Sequence, residues 1–515
     1  MRLLFVGLIA GLVAPLAFAG DPPALTKEAV LDAAKKLEQR ILDAMKETGV
    51  PGIAVAIVFD DKLVFSRGFG VREAGRPEPV DADTVFQLAS VSKPVGATVV
   101  AAVIGDGTVG GWDSRIRDLD PSFAMSEPFV TEEITVRDLY AHRSGLPDHA
   151  GDWLEDMGYP REEILRRLRF QQPATSFRSG YAYTNLGLTA AAVAVAKSTG
   201  KTWEDLSEER LYRPLGMAST SSRQKDFLAR ENRARGHVLV DGKWVAKYQR
   251  DPEAESPAGG VSSSVNDLAK WMRLQLNGGR FEGKQIVAAA ALEESHHPHM
   301  LTSFSPFNGL PFFYGLGWNV NYEADGQLRL THSGAFTQGA ATAVSLLPGR
   351  KLGIAILTNA APVGMPEALT SLFFDDLLRG GPTADWLKLY KGFFVEMDEA
   401  DFARYADYSK APQNPVSARN FASYVGTYSN DLFGEVDVVE KDGKLFVNLG
   451  PGNPMTPLAH WDRDTFTFPL ARESLIGTSG IFFAMGPDGQ ARGATIECLN
   501  AQGQGVFQRK TAGRE

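Results

Sequence analysis

Residues 95–104 form an uncharged apolar run in which Thr98 is the one polar side chain, so a helix built from it has no face to offer water and must be enclosed by protein. An aromatic, extended-looking stretch, residues 85–89, leads into this run, and Ser90, Val91, Ser92 and Lys93 make the junction. Side chains three residues apart on a helix share a face, with Cβ atoms about 5–6 Å apart, so the Lys93 amine can reach the Ser90 hydroxyl. A buried lysine beside a serine is a nucleophile and base pair. Free N–H groups at a helix start can also receive an oxyanion. Taken alone, the two residues are more plainly read as a capping serine beside a solvated lysine.

The S-x-x-K spacing recurs at Ser198/Lys201 and Ser222/Lys225, and context separates the three. Ser198 precedes Gly200 at an expected helix end, while Ser222 lies in a polar stretch with no apolar run behind it. Pro94 is tolerated because donors in a first helical turn are unpaired anyway.

At 515 residues, two domains are expected. The net charge of −9 and the absence of a basic run exclude nucleic acid as a partner. Arg2, the apolar residues 3–18 and the Ala17-Phe18-Ala19 step predict a secretory signal peptide over residues 1–19, leaving a soluble protein outside the cytoplasm with no stable membrane insertion. Cys498 is the lone cysteine, so no internal disulfide can form. No cofactor and no metal are expected. His296, His297 and His299 lack acidic or cysteine partners at ligand spacing and are expected in a solvated loop.

Helical spacing covers residues 27–47, and β-rich runs at 52–59 and 62–69 meet at Asp60-Asp61 as a hairpin. Residues 134–260 read as a mostly helical subdomain. Strand character returns at 316–320, 327–331, 341–347 and 352–358, closing a hydrolase domain over 20–380. A helical, Pro-containing connector spans 381–420. Residues 421–515 then read as an all-β module, with Asp442-Gly443 and Asp488-Gly489 as hairpin signals. Every motif residue lies before 340, so the module is expected to be dispensable for the chemistry.

Two further groups matter. Tyr183 and Asn185 sit two apart in a turn-like segment, and His332, Ser333, Gly334 and Ala335 end a strand-like run, with glycine allowing close backbone approach by a ligand. Singly, an aromatic core residue and a strand-end histidine are the plainer readings. Jointly, Ser90/Lys93, Tyr183/Asn185 and His332/Gly334 resemble the S-x-x-K, Y-x-N and H-x-G (or K-T-G) series of the serine β-lactamase and penicillin-recognising superfamily, in particular its class C-like branch. Residues 134–139 with 142–147, 214–217, 258–261 and 314–318 are similar to that family too. The last β module resembles a lipocalin-like appendage.

The resemblance implies an α+β fold, a mainly antiparallel sheet flanked by helices with a helical subdomain and the cleft between them. It also implies a Ser90 nucleophile, with Lys93 or Tyr183 as the immediate base. Asn185 would hold the substrate amide and orient Lys93, and the N–H groups of Ser90 and Ala335 would form the oxyanion hole. Lys93 and His332 would favour the Tyr183 phenolate and push its pKa down. His332 stands where many β-lactamases carry lysine, which points to small esters or D-amino-acid-containing peptides over β-lactams. A class C-like β-lactamase and a non-catalytic penicillin-binding or cell-wall-sensing protein are the alternatives. The substrate partner is a small molecule or peptide, and the oligomeric state is open. No G-x-S-x-G occurs, which excludes the nucleophile elbow of α/β-hydrolases. His142 and His149 are expected to be structural.

Overall fold

Isoleucine or valine alternates with small residues along the strand Gly52–Phe59, and successive side chains of a strand point to opposite faces. Ile53, Val55 and Ile57 join one apolar cluster with the helices Lys27–Thr48 and Met365–Leu378. Ala54, Ala56 and Val58 join another with the helices Ser92–Gly105 and Val265–Leu276. The sheet is therefore sandwiched between helical layers, and the apolar run lies inside one of them, buried from Val95 to Val103 with Ile104 partly exposed at its end. This computed structural model describes residues 25–304, 309–323, 325–410, 412–473 and 476–510; the expected signal peptide lies outside the described residues.

The main sheet has eight strands, ordered Lys62–Gly70, Gly52–Phe59, Leu352–Thr358, Ala340–Leu347, Leu328–Phe336, Asn319–Tyr322, Pro311–Tyr314 and Met300–Phe304, every pair antiparallel. Asp60 and Asp61 turn the first hairpin with φ of 45° and 57°. Two left-handed residues suit a two-residue hairpin because their twist matches that of the strands.

Two strand expectations need correction. Leu316, Gly317 and Trp318 form a turn between strands. Gly317 has φ of 80° there, and an added Cβ would lie 2.8 Å from the Lys93 carbonyl oxygen, so its backbone is pressed against the central helix. Trp318 completes the turn by stacking on Trp271, ring centroids 5.5 Å apart. Second, the strand expected at 327–331 is longer: pairing with Ala340–Leu347 carries it through His332, Ser333, Gly334 and Ala335 to its end at Phe336. The histidine expectation also changes, because His296 is buried against the Gln275 side chain and burial pushes its pKa down to about 3.

After the helix Trp386–Phe402 the chain builds a nine-stranded antiparallel sheet, Gly426–Asn430 to Val506–Arg509. The strand Thr456–Pro457 at one end of the order comes back against Thr465–Ala471 near the other, curling the sheet into a nearly closed barrel. Its apolar interior is shared. Leu154, Met157, Ile164, Leu168 and Leu186 of the first domain belong to the same cluster as Tyr424, Tyr428, Phe466 and Phe483. Among the described residues, no helix is long and apolar enough to cross a membrane.

Candidate active site

Ser90 sits in the 3-10 turn Ala89–Val91 that feeds the helix Ser92–Gly105. Ala89 has φ of 47°, a strained value for a residue with a Cβ, and it is held by its surroundings. The Leu88 N–H donates to Val261 O at 2.8 Å, and Thr342 Oγ1 donates to Leu88 O at 2.7 Å. The neighbouring Ser92 hydroxyl is occupied, accepting the Val261 N–H at 3.0 Å. Ser90 is left facing the cleft between the sheet and the helical subdomain.

Lys93 is fully buried. Its Nζ lies 3.0 Å from Ser90 Oγ, 2.7 Å from Asn185 Oδ1 and 3.0 Å from Ala258 O. Burial lowers its pKa to about 8, against the opposing pull of Glu255 and Asp152. Two of the three partners can only accept: Ala258 O is a carbonyl, and Asn185 is oriented by donating through Nδ2 to Asp152 Oδ2 at 2.9 Å. A neutral Lys93 therefore spends both hydrogens on them and turns its lone pair to the Ser90 hydroxyl.

Tyr183 donates to Ser90 Oγ at 2.8 Å from the opposite side. Desolvation holds its hydroxyl well above the ordinary tyrosine value, and the hydrogen bond to Ser90 offsets only part of that. The expected downward push is thus overturned, for two reasons. The site removes the water that a phenolate needs, and His332 supplies no charge. Burial drives His332 down to about 3, helped by Lys93. Its Nε2 lies 2.9 Å from Tyr314 Oη and its Nδ1 2.7 Å from Ser333 O. A carbonyl oxygen can only accept, so the proton sits on Nδ1 and Tyr314 donates to Nε2.

Gly334 is required by the backbone packed against it. A Cβ there would fall 2.2 Å from Leu88 O and 2.9 Å from Ser90 N, so the strand is laid directly on the backbone that carries the nucleophile. Pairing with Asn319–Tyr322 stops at Thr331, so among the described residues the edge at Ser333, Gly334 and Ala335 has no strand partner on that side. The structure thus brings Ser90, Lys93, Tyr183, Asn185, His332 and Gly334 together from four separate elements, with Ser333 and Ala335 on the same strand.

Four residues escape a reading of the sequence. His142 and His149, expected to be structural, bracket Tyr183 with φ of 54° and 57°. His142 accepts the Ala182 N–H through its carbonyl and the Thr184 N–H through Nδ1, and its ring lies 4.7 Å from that of Tyr183. The His149 N–H donates to Tyr183 O at 2.7 Å. Desolvation disfavours a charged His149, yet the Asp152 carboxylate, 2.8 Å from Nδ1, lifts its pKa to about 9. Asp152 and Tyr314 complete the surroundings. A signal for His142 and Tyr314 existed, since they open the family-like segments 142–147 and 314–318; Asp152 has none, because its role comes from a helix packed against Asn185.

A family profile described as Beta-lactamase matches residues 37–372, and one described as Domain of unknown function (DUF3471) matches residues 410–510. The chain is 26% identical to "Unguisins hydrolase ungD" of Aspergillus violaceofuscus over 89% of its own length and 87% of that protein. It is 27% identical to "Penicillin-binding protein 4" of Amycolatopsis lactamdurans, over 66% of this chain and 87% of the relative. Among solved structures, an octameric penicillin-binding protein homologue from Pyrococcus abyssi superposes with a TM-score of 0.59 at 20% identity, over 90% of this chain and 98% of that one.

Proposed function

The chain belongs to the Beta-lactamase family, and from this membership we propose that it is an exported serine hydrolase that forms an acyl-enzyme at Ser90 on small esters or on amide bonds of short, D-amino-acid-containing peptides. One observation carries the reading: Ser90 Oγ lies between a buried amine at 3.0 Å and a phenol at 2.8 Å. Lys93, as neutral amine, takes the Ser90 proton while Oγ attacks the substrate carbonyl. The Ser90 and Ala335 N–H groups receive the oxyanion, and Asn185 holds both the substrate amide and Lys93. Tyr183, a protonated phenol, passes its proton to the leaving group and is reprotonated by the Lys93 ammonium, so the proton taken from Ser90 ends on the leaving group and both residues return to neutral. Water, deprotonated along the same path in reverse, then releases the acid.

The preference for esters and D-configured amides over β-lactams rests on His332. Its proton is committed to a carbonyl and its second nitrogen to Tyr314, so it presents no cation to a substrate carboxylate. A relative named as a hydrolase of unguisins and others named penicillin-binding proteins are compatible with acyl substrates of this kind. Export rests on the signal-like residues 1–19, and we read the C-terminal barrel as lipocalin-like.

Two experiments test this. A fluorophosphonate probe should label Ser90, and a panel of p-nitrophenyl esters, D- and L-amino-acid amides, D-Ala-D-Ala peptides and a chromogenic cephalosporin should favour the esters and D-amides. Labelling at another serine, or efficient cephalosporin turnover without esterase or amidase activity, would overturn the reading. The acylation rate should also rise with pH, with a midpoint near 8, because only the deprotonated Lys93 is a base and burial holds its pKa at about 8. A rate flat between pH 6 and 9 would exclude Lys93 from that role.

A further inference from the structure

Glu473, just after the barrel strand Thr465–Ala471, sends its carboxylate into the first domain. Glu473 Oε1 accepts the Thr337 N–H at 2.6 Å, Oε2 accepts the Gln338 N–H at 3.3 Å, and its backbone carbonyl accepts from Thr337 Oγ1 at 3.1 Å. Thr337 and Gln338 form the turn that follows Ala335 and Phe336 on the cleft strand. The Glu473 N–H donates to Asp156 Oδ1 at 3.1 Å, on the helix Asp152–Asp156.

Behind Glu473 lies Arg250, its Nε 3.9 Å from Oε2. This nearly enclosed guanidinium also pairs with Glu155 at 2.5 Å and Glu255 at 2.9 Å, and sits 5.0 Å over the Phe336 ring. Each partner stands on an element that holds a reacting group in place. Glu155 shares its helix with Asp152, which orients Asn185. The Glu255 carbonyl accepts the Ala258 N–H at 2.7 Å, in the turn that presents Ala258 O to Lys93. Phe336 neighbours Ala335.

We propose that Glu473 is a positioning residue through which the C-terminal module completes the active site, tying the end of the cleft strand, the Asp152 helix and the Ala258 turn into one unit around Arg250. This rests on the serine-hydrolase reading given above. Three arguments favour it over a merely adhesive contact. The carboxylate meets backbone N–H groups of a turn, which set where the strand ends. Its side chain is largely enclosed beside Arg250, whose charge Glu155 and Glu255 already pair, so what it adds is acceptor oxygens held in place against the turn. And displacements of about 1 Å in a site of this kind cost on the order of 100-fold in rate. The contacts of Glu473 run against the expectation that the module is dispensable for the chemistry.

The test compares full-length wild type with Glu473→Ala, Glu473→Gln and Tyr159→Phe. Tyr159 donates to Phe433 O at 3.0 Å elsewhere in the same interface and serves as the adhesion control. Fluorophosphonate acylation of Ser90, kcat and KM on a p-nitrophenyl ester, and melting temperature are measured for each. Glu473→Ala should acylate roughly 10–100-fold more slowly, with the loss in kcat rather than KM. Glu473→Gln, which keeps an acceptor for the turn, should recover most of the rate, and Tyr159→Phe should acylate like wild type. Wild-type acylation in Glu473→Ala, no recovery in Glu473→Gln, or an equal loss in Tyr159→Phe would overturn the proposal. A wild-type protein that is not labelled at Ser90 would instead overturn the hydrolase reading beneath it.

Discussion

Exchanging Lys93 for methionine is expected to slow acylation of Ser90 on the order of 10³–10⁴-fold, the upper part of the range for removing a positioned general base. Methionine is close in length and apolar, so it fills the enclosed space that Lys93 occupies while removing the one nitrogen that faces Ser90 Oγ. Tyr183→Phe should also be severe, because the Ser90 oxygen loses its donor and the leaving group its proton source. The double variant should be little worse than Lys93→Met alone, since both residues handle the same proton. Single-turnover labelling with fluorophosphonate, on variants shown to be folded by circular dichroism, measures all three. Losses that multiply would mean that the two residues act independently.

Gly334→Ala should be nearly as damaging, although it alters no reacting group. The new methyl would meet Leu88 O at 2.2 Å, Thr342 Oγ1 at 2.4 Å and Ser90 N at 2.9 Å, and two of these atoms are backbone. The strand must then lift from the turn that carries Ser90, separating the nucleophile from the Ala335 edge. An acylation loss on the order of 100-fold follows from such a shift, together with a stability cost of about 1–3 kcal/mol for overpacking. Gly349→Ala is the control, because a Cβ there meets nothing within 4 Å. A Gly334→Ala protein that melts and acylates like Gly349→Ala would show that the strand has slack at this point, and the role given to Gly334 would be wrong.

What could be read from the sequence was local. Three-residue helical spacing places Lys93 beside Ser90 whatever the rest of the chain does. The apolar run behind them has to be enclosed, and it is. Asp60-Asp61 and Asp442-Gly443 both turn hairpins with left-handed backbone, as their residue types allow. The change of composition after residue 420 coincides with a second sheet. The family resemblance added Tyr183, Asn185 and His332, which periodicity alone could not have ranked above core residues.

Protonation and long-range contact were decided only by the tertiary structure. Burial, which no single residue encodes, lowers Lys93 to about 8 and holds Tyr183 well above its ordinary value, reversing the electrostatic expectation drawn from neighbouring charges. His332 is neutral because burial, with Lys93 close by, drives its pKa down to about 3, while Tyr314 and the Ser333 carbonyl fix which nitrogen keeps the proton. Gly334 is required by the approach of Ser90, which is distant in sequence. Asp152 and Glu473 had no local signal at all. Each is one ordinary acidic residue among many until packing desolvates it beside an amide, an imidazole or a guanidinium, and the energy of such a pairing depends on distance and dielectric, which exist only once the chain has folded.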